Sequence, residues 1–251
     1  MKKTFLSIII PSYNEQTNIR LGALDKVSRY LEKQSYEWEV IIVNDGSSDA
    51  TGELLNEFVK TGNRYRVMHN PHQGKAGSEI YGMRQARGDI IIFTDLDQAT
   101  PISEAEKLLP WFEKGYDVVI GSRSSRRIGA PLTRRIMARG FMLLRTIVLG
   151  LAGIEDTQCG FKAFRRGVVS DIFDRLLLYR NIHTVSGSMV TAGFDIEVLF
   201  LAQQLGYPIK EVAVEWHYVE TRRVNPLKDS WQGLMDILII RLNAMQGKYS
   251  L

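Results

Sequence analysis

The segment DIIIFTDLD at residues 89–97 places an uninterrupted apolar run, IIIF, between acidic residues. A run without the alternation of a half-exposed strand is typical of a strand buried on both faces, as in a parallel sheet covered by helices. We therefore expect residues 89–95 to form one strand of such a sheet. Other strands are predicted at 5–11, 38–43, 65–70 and 117–122.

The segments between these strands have the spacing of amphipathic helices. Leu24, Val27 and Leu31 recur on one stripe of a predicted helix that ends near Glu32. Further helices are predicted at 53–60, 74–87 and 103–114. Strands that alternate with helices favour an α/β fold with a mostly parallel central sheet flanked by helices. In such folds ligands bind beyond the carboxyl ends of the strands.

The second half of the chain is less regular. Helices are predicted at 133–151, 167–177, 194–206 and 228–246, a strand at 209–218, and loops at 123–135, 155–164 and 183–193. Neither a repeat nor a low-complexity tract or linker separates the halves. We therefore expect a single domain over 1–251, whose second half ends in a C-terminal helix.

The composition is that of an ordinary globular protein, with 45% hydrophobic and 24% charged residues among 251. The net charge of +4 suits a phosphate-bearing partner or an anionic membrane surface without requiring either. The single cysteine, Cys159, excludes an intrachain disulfide and fits a reducing compartment. The chain lacks a Walker A pattern, and aromatic residues do not interleave with the arginines. NTP hydrolysis and nucleic-acid binding are therefore not indicated.

Apolar runs are short throughout the chain. The first, at 5–11, is followed at once by Ser12, Asn14 and Glu15, so it is interpreted as a strand and not as a signal peptide. The stretch at 141–154 is shorter than the roughly 18 residues of a spanning helix and is interrupted by Arg145. We expect a cytoplasmic protein without a transmembrane helix.

Acidic side chains follow three predicted strands: Glu15, Asp45, and the pair Asp95 and Asp97. A parallel sheet brings these ends to one edge, where carboxylates repel one another unless a cation or hydrogen-bond donors lie between them. Asp-x-Asp at a strand end allows both carboxylates to bind Mg²⁺ or Mn²⁺ together with diphosphate oxygens. Turn and capping chemistry is the alternative for any one aspartate. The 4 histidines lack metal-ligand spacing and are interpreted as structural or surface groups.

Several motifs, taken in order, resemble family 2 glycosyltransferases. They are IIIPSYNE, VNDGSSDAT, GKAGSEIYGMRQARGDIIIFTDLDQAT, VIGSR, DTQCGFKAFRR and AGFDIEVLFLAQQLGYPIKEVAVEW. The resemblance extends to about Trp216. It is strongest to the branch that transfers a hexose to a polyprenyl phosphate, the dolichyl-phosphate glucose and mannose synthases. It implies a GT-A fold, the Rossmann-like fold of nucleotide-diphospho-sugar transferases, with a nucleotide-sugar-binding half at 1–122 and an acceptor-binding half at 123–251.

The resemblance implies a set of residues that bind the nucleotide sugar: Pro11, Tyr13, Glu15, Asp45, Lys75, Asp95 and Asp97. Within this set Asp45 is expected to hydrogen-bond the base. Asp95 and Asp97 are expected to bind the metal and the diphosphate, with Asp97 the more sensitive of the two in catalysis. Asn44 stands where many relatives have a second aspartate, which leaves the base open.

A second implied set is basic and is expected to bind the acceptor phosphate or the departing diphosphate: Arg123, Arg134, Arg135, Arg222, Arg223 and Lys228. A guanidinium fork matches phosphate oxygens, although a solvated basic face is the alternative interpretation. Arg123 is also expected to take part in catalysis, as are Asp97 and Asp195. Asp195 is either the base for a hydroxyl acceptor or a helix cap or positioning residue, since a phosphate acceptor is already an anion.

The expected reaction is a metal-dependent, inverting transfer of a hexose, glucose from UDP-glucose, to a polyprenyl (dolichyl) phosphate. One alternative is a GDP-mannose-dependent synthase. Another is transfer to a saccharide hydroxyl with Asp195 or Glu197 as the base. The third alternative is a protein that binds a nucleotide sugar without turnover. The complete set of strand-end acids and basic loops argues against it.

A polyprenyl acceptor lies in lipid, so we expect peripheral association with the cytoplasmic face of a membrane. Apolar residues at 141–149, beside the arginine-rich loop, could contact the lipid, as could 237–240 in the closing helix. Ordinary core packing of these residues is the alternative.

Overall fold

The computed structural model describes residues 4–123, 132–179, 192–217 and 226–249, with the backbone alone described at 132–139, 192 and 226–230. Within these ranges, a single sheet of seven strands runs through both halves of the chain, in the order β3-β2-β1-β4-β6-β5-β7. The strands are β1 (Phe5–Ser12), β2 (Glu37–Asn44), β3 (Tyr65–His69), β4 (Ile90–Phe93), β5 (Val118–Ser122), β6 (Lys162–Arg165) and β7 (Ile209–Ala213).

The five strands predicted in the first half are present, and β1 to β4 pair in parallel, as do β5 and β7. The strand β6 was not expected, because residues 155–164 were predicted to be a loop. It pairs antiparallel with both β4 and β5, with Phe93 opposite Lys162. A strand as short as KAFR gives little periodic signal, and its pairing is decided by the two neighbours that enclose it. The predicted strand at 209–218 ends early, at Ala213.

Nine helices lie within the described residues: α1 (Gln16–Arg20), α2 (Ala23–Leu31), α3 (Thr51–Phe58), α4 (Gly74–Gln85), α5 (Ala105–Glu113), α6 (Leu132–Leu149), α7 (Arg166–Phe173), α8 (Ala192–Gln204) and α9 (Pro226–Met245). The helix predicted to end near Glu32 is divided into α1 and α2 by a break at residues 21–22. Leu24, Val27 and Leu31 are buried, as their spacing indicated.

Apolar residues of the central strands face both sides of the sheet. Ile8, Ile10 and Ile92 pack in a layer with α2 and α5. Ile9, Ile91 and Phe93 belong to the opposite layer, with α4, α7 and α8. Fully burying such a side chain contributes about 1.5–3 kcal/mol, so these runs stabilise a sheet that is covered on both faces. Their carboxyl ends lie together at one edge of the molecule.

The helices α6 and α9 pack against each other and leave an apolar surface uncovered. The exposed side chains form a group that we name the α6–α9 apolar face: Leu143, Ile147, Trp231, Met235, Leu238, Ile239, Leu242 and Met245. The predicted segments 141–149 and 237–240 therefore contain residues of two kinds. Some belong to the exposed apolar face, whereas Leu149, Ile237 and Ile240 are buried in the core. Among the helices that the structure describes, none combines the length and the hydropathy needed to cross a bilayer.

Candidate active site

A cleft opens at the carboxyl ends of β1, β2 and β4, beside the start of α4. All seven residues predicted to bind a nucleotide sugar line it, together with Ser12, His72, Gly74, Ser78 and Leu96. The acids that follow three separate strands therefore meet at one site, as expected for parallel strands. Their individual roles stay predictions.

The two loops at the entrance of the cleft are hydrogen-bonded to each other. The Asn14 N–H donates to Ser47 Oγ at 3.0 Å, and the Ser48 N–H donates to Asn14 Oδ1 at 2.8 Å. The Glu15 N–H donates to Thr51 Oγ1 at 2.8 Å. These bonds hold the β1–α1 loop against the β2–α3 loop, so the surroundings of Tyr13 and Glu15 are organised before any ligand arrives.

An aromatic pair forms one wall of the cleft. The rings of Tyr13 and His72 are stacked, with centroids 3.9 Å apart and planes within 10° of each other. The sequence interpretation of His72 as a structural or surface group missed this position. The signal that could have found it is its place after β3, where the chain returns to the edge that carries Asp45. A flat apolar surface beside a polar rim suits the face of a base.

Asp45 builds the turn that leads into α4. Its buried carboxylate receives the Gln73 N–H at 2.9 Å and the Gly74 N–H at 2.8 Å. It also contacts His72 Nδ1 at 2.8 Å and Asn70 Nδ2 at 3.3 Å. Four donors match the acceptor capacity of a carboxylate. The expectation that Asp45 hydrogen-bonds a base stays a prediction, but the structure gives this residue a turn-building role as well.

Lys75 and Asp95 form an ion pair across the cleft, with 2.5 Å between Lys75 Nζ and Asp95 Oδ1. Lys75 Nζ also lies 3.7 Å from Glu79 Oε1, one helical turn further along α4. Burial by itself would lower the pKa of Lys75, but the nearby negative charge, that of Asp95 above all, outweighs burial and raises it. Lys75 is therefore a permanent cation at this site.

Glu79 is a buried acid that sequence reasoning did not select. Its side chain is 1% exposed, and among the described residues its Oε1 lacks a hydrogen-bond donor. Burial, only partly offset by the charge of Lys75, raises the pKa of Glu79 to about 8. Burial therefore favours the protonated, neutral form of this carboxyl group.

The donor set formed by Asp95 and Asp97 fits a hard divalent cation. Within the described ranges, side chains of His, Cys, Asp and Glu do not gather in threes to form a cage for a metal ion. Mg²⁺ and similar ions are commonly held by one or two carboxylates, with substrate phosphates and water supplying the remaining ligands. The Lys75 ammonium at Asp95 occupies a position in which positive charge is stabilised.

The segment that precedes β6 lies directly against the Lys75–Asp95 ion pair. A Cβ built on Gly160 would overlap Asp95 Oδ2 and would lie 3.0 Å from Lys75 Nζ. Only glycine permits so close an approach of backbone to the two charged groups. The DTQCGF segment is therefore part of the site, beside the acidic pair.

Asp195 lies in the first turn of α8 and faces a fully buried lysine. Lys162 Nζ is 2.5 Å from Asp195 Oδ1 and donates to the Cys159 carbonyl at 2.6 Å. The expectation that Asp195 caps a helix beginning after Gly193 is wrong, because α8 starts at Ala192 and Asp195 already lies inside it. Its partner Lys162 could not be identified from sequence because the strand β6 was not predicted.

Glu197 lies away from the cleft and is fully buried. It accepts the Leu177 N–H at 2.9 Å, the Leu178 N–H at 3.2 Å and the Tyr249 hydroxyl at 2.8 Å. A carboxylate that is enclosed by structural donors is not placed to deprotonate an acceptor. The alternative in which Glu197 serves as a base is therefore wrong.

Arg123 is held by Asp156 in a two-pronged ion pair, with Nε–Oδ2 at 2.7 Å and Nη2–Oδ1 at 2.9 Å. Burial would raise the pKa of Asp156, but the hydrogen bonds and charge of Arg123 lower it to about 2. The guanidinium also lies 5.9 Å from the Trp216 ring centroid. Arg123 thus sits at the end of β5 with a fixed orientation.

The other predicted basic residues are only partly covered by the structure. Arg134, Arg135 and Lys228 belong to α6 and α9, but their side chains lie outside the description. Arg222 and Arg223 lie outside the described residues altogether. Their predicted roles at a phosphate stay predictions.

Comparison with known proteins agrees with this geometry. The family model of glycosyl transferase family 2 matches residues 7–173. The chain is 33% identical to the dolichyl-phosphate beta-glucosyltransferase of Saccharomyces cerevisiae, over 99% of this chain and 77% of that protein. It is 32% identical to the human dolichyl-phosphate beta-glucosyltransferase, over 98% of this chain and 78% of that protein.

A solved structure with a similar fold is glucosyl-3-phosphoglycerate synthase from Mycobacterium tuberculosis, in complex with Mn²⁺, UDP and glucosyl-3-phosphoglycerate. The TM-score is 0.65 at 17% identity, covering 94% of this chain and 80% of that one. The expected GT-A fold, with its mostly parallel sheet flanked by helices, is confirmed.

Proposed function

The chain belongs to glycosyl transferase family 2 and is a glycosyltransferase, and we propose that it transfers glucose from UDP-glucose to a polyprenyl phosphate with inversion. The observation that supports this most is the cleft itself. It combines an aromatic wall, a pair of aspartates and a lysine within one polar site at the strand ends. These are the groups that a base, a metal-bound diphosphate and a sugar require.

The donor would lie along the cleft from the aromatic pair to the aspartates. Tyr13 and His72 offer a flat face to the base, with Pro11 and Glu15 at the same end. Two buried hydroxyls that line the cleft, Ser12 Oγ and Ser78 Oγ, lack partners among the described residues. Because an unpaired buried hydroxyl is costly, these groups favour a polar ligand in the cleft.

The leaving diphosphate would be placed at Asp95, Asp97 and Lys75. Asp95 and Asp97 would hold Mg²⁺ or Mn²⁺, which neutralises charge on the departing diphosphate. Lys75 is free to exchange its contact with Asp95 for one with phosphate, since both partners are anionic. Arg123 is proposed to contribute further positive charge at the acceptor side, in the orientation that Asp156 gives it.

The state of the two candidate bases favours a phosphate acceptor over a hydroxyl. Asp195 is paired with the Lys162 ammonium, and Glu197 is enclosed by structural donors. A hydroxyl nucleophile needs a base within reach of its proton, whereas a phosphate is already an anion near neutral pH. The acceptor phosphate would then attack the anomeric carbon directly, in line with the departing diphosphate.

The relatives favour glucose as the sugar, since both that are described above are named as beta-glucosyltransferases. A GDP-mannose-dependent synthase is the second candidate, because Asn44 stands where many relatives have a second aspartate near the base. The donor base is therefore the first quantity to measure.

We also propose that the protein docks peripherally on the cytoplasmic face of a membrane, through the α6–α9 apolar face. Among the described side chains of α6 and α9, the one acidic residue is Asp236, which is buried. The basic residue Arg241 is exposed. An apolar surface flanked by positive charge suits an anionic lipid surface. Trp231→Glu is expected to abolish cosedimentation with anionic vesicles. Leu21→Glu, at an equally exposed apolar residue between α1 and α2, is expected to leave it unchanged.

Product identification tests the proposed reaction. The purified protein is incubated with UDP-glucose or GDP-mannose, with Mg²⁺ or Mn²⁺, and with a polyprenyl phosphate or a saccharide acceptor, and products are identified by mass spectrometry. We expect polyprenyl phosphate glucose and UDP. Release of GDP with mannose transfer would replace the donor assignment, and transfer to saccharides alone would overturn the phosphate acceptor.

A further inference from the structure

The helix α9 has two faces of different chemistry. Its outer face belongs to the α6–α9 apolar face, whereas Asp236, Ile237 and Ile240 point inward and are buried. Asp236 is the unusual member of the inner face, since an acid is rarely buried without partners. One of its two hydrogen-bond partners, Gly193, lies on α8, the helix that carries Asp195.

Asp236 contacts the backbone at the start of α8. Its carboxylate accepts the Gly193 N–H and also receives Gln232 Nε2 at 2.8 Å. A Cβ built on Gly193 would overlap this carboxylate, so the close approach depends on glycine. A carboxylate beside the first turn of a helix is also stabilised by the partial positive charge of the unpaired N–H groups there.

A second contact ties the end of the chain to the same helix. Tyr249, which follows α9, donates its hydroxyl to Glu197 Oε1 at 2.8 Å. The helix α8 is therefore held at Gly193 and at Glu197 by residues from the segment 236–249. Its position depends on where α9 lies, in addition to the apolar packing between the two helices.

The first turn of α8 leads to the cleft through buried contacts. Asp195 follows Gly193 by two positions and is paired with Lys162 at 2.5 Å. Lys162 donates to the Cys159 carbonyl, and the next residue, Gly160, lies against Asp95. A path of direct contacts thus runs from α9 to the acidic pair of the cleft.

We propose that Asp236 is a positioning residue that couples the placement of α9 on a lipid surface to the geometry of the Asp195–Lys162 pair. The coupling rests on the proposed membrane docking of the α6–α9 apolar face. Contact with lipid restrains the outer face of α9, and Asp236 transmits that restraint to the first turn of α8. The acceptor side of the cleft is then best ordered when the enzyme lies on the membrane that contains its acceptor.

Hydrogen exchange tests this coupling without turnover. Amide exchange in the α8 peptide that begins at Phe194 is compared with and without phosphatidylglycerol vesicles. In the unaltered protein we expect vesicles to slow exchange in both α9 and the first turn of α8 by several-fold. In Asp236→Ala we expect α9 to stay vesicle-protected and α8 to lose its response. Asp236→Asn is expected to restore the response, since its amide oxygen still accepts the Gly193 N–H.

Enzyme kinetics provide a second measurement, with a pattern of kcat and KM changes that general destabilisation of the fold does not produce. Asp236→Ala is expected to lower kcat or raise the KM for polyprenyl phosphate about tenfold and to leave the KM for UDP-glucose within about twofold. The matched control is Glu57→Ala, which removes an exposed acid from α3. Unchanged exchange of β1 and β2 amides verifies that both variants are folded.

Three outcomes would overturn the coupling. One is an α8 response to vesicles in Asp236→Ala equal to that of the unaltered protein. Another is vesicle protection of α9 with no change in α8 of the unaltered protein. The third is protection of α9 that depends on protein concentration and not on lipid, which would identify a second copy of the chain as the occupant. Because exchange is read without turnover, a failed product screen would count against the proposed reaction and not against this coupling.

Discussion

Lys75 Nζ lies 2.5 Å from Asp95 Oδ1, so a lysine neutralises the aspartate that is proposed to hold a metal. The pair joins the start of α4 to the end of β4, and the Gly160 backbone covers it. Cation binding at Asp95 therefore competes with Lys75, and diphosphate binding provides Lys75 with a new partner.

Lys75→Met is expected to change metal and nucleotide affinity in opposite directions. Mn²⁺ should bind more tightly without nucleotide, because the ammonium no longer competes for Asp95. UDP should bind about tenfold more weakly, since a hydrogen bond to a charged group contributes about 1.5–3 kcal/mol. Calorimetric titration measures both affinities. Lys60→Met, at an exposed lysine paired with Glu57, is the control and should change neither.

Asp97→Asn is expected to reduce transfer at least about 100-fold at saturating Mg²⁺ or Mn²⁺, because the leaving diphosphate loses a ligand of its metal. The fold should be retained, since the asparagine oxygen can still accept the Ala99 N–H that Asp97 Oδ1 accepts at 3.0 Å. Initial rates and the melting temperature check the two statements. Retention of most turnover would contradict the proposed metal site, and Asp25→Asn on the exposed side of α2 serves as the control.

The substitution Asp195→Asn distinguishes two possible roles of Asp195, that of a general base and that of a positioning residue. General base catalysis commonly contributes about 10²–10⁴-fold, and its loss removes the corresponding limb of the pH–rate profile. With a phosphate acceptor we expect a smaller loss, about tenfold, and a pH–rate profile of unchanged shape. A loss of the larger size together with a flattened profile would instead support a hydroxyl acceptor. The measurement is kcat/KM across pH for both proteins.

Glu79→Gln is expected to change how stability depends on pH. The pKa of Glu79 is raised from 4.5 to about 8 by burial, so the folded protein holds a proton that the unfolded chain releases between these values. The contribution of Glu79 to the free energy of unfolding is therefore full below about pH 4.5 and is lost as the pH rises to about 8.

The glutamine side chain resembles the neutral acid and does not ionise. Glu79→Gln should consequently be more stable than the unaltered protein near pH 8, on the order of 3 kcal/mol, with little difference near pH 5. Urea denaturation at several pH values measures the difference. The exposed acid variant Glu57→Gln should show no such trend, and a constant difference at all pH values for Glu79→Gln would contradict the assignment.

Gly160→Ala is expected to damage catalysis by a steric route. The added methyl group would overlap Asp95 Oδ2, so the carboxylate or the DTQCGF segment must move. We expect weaker binding of Mn²⁺ with UDP and a loss of turnover of about 100-fold, since small displacements of reacting groups are costly. Gly167→Ala is the matched control, because a Cβ there would meet no atom within 4 Å. Equal effects of the two substitutions would contradict the proposed contact.

The strand-end acids could be predicted because of how parallel strands are arranged. Once 5–11, 38–43 and 89–95 are strands of one parallel sheet, Glu15, Asp45, Asp95 and Asp97 must follow its carboxyl edge. The same reasoning could have selected His72, which returns to this edge after β3. Glu79 and Ser78 were harder to select from sequence as site residues, since their exposure depends on which side of α4 is covered by the sheet.

The surroundings of Asp195 were predicted less well because they depend on an unexpected strand. Lys162 reaches Asp195 only because β6 is inserted antiparallel between β4 and β5. Its four residues carry no period that distinguishes a strand from a loop. The contacts of Arg123 with Asp156 and of Asp236 with Gly193 likewise join residues far apart in the chain.

The amino-acid sequence was sufficient to predict the parallel half of the sheet, its buried faces and the set of acids at its edge. These features follow from local apolar runs and from chain direction, which are properties of short segments. The pairing of charges became known from the folded structure: Lys75 with Asp95, Lys162 with Asp195, and Arg123 with Asp156. Pairing depends on distances between segments, and on the burial that makes each partner necessary, and neither quantity is encoded in the spacing of any one motif.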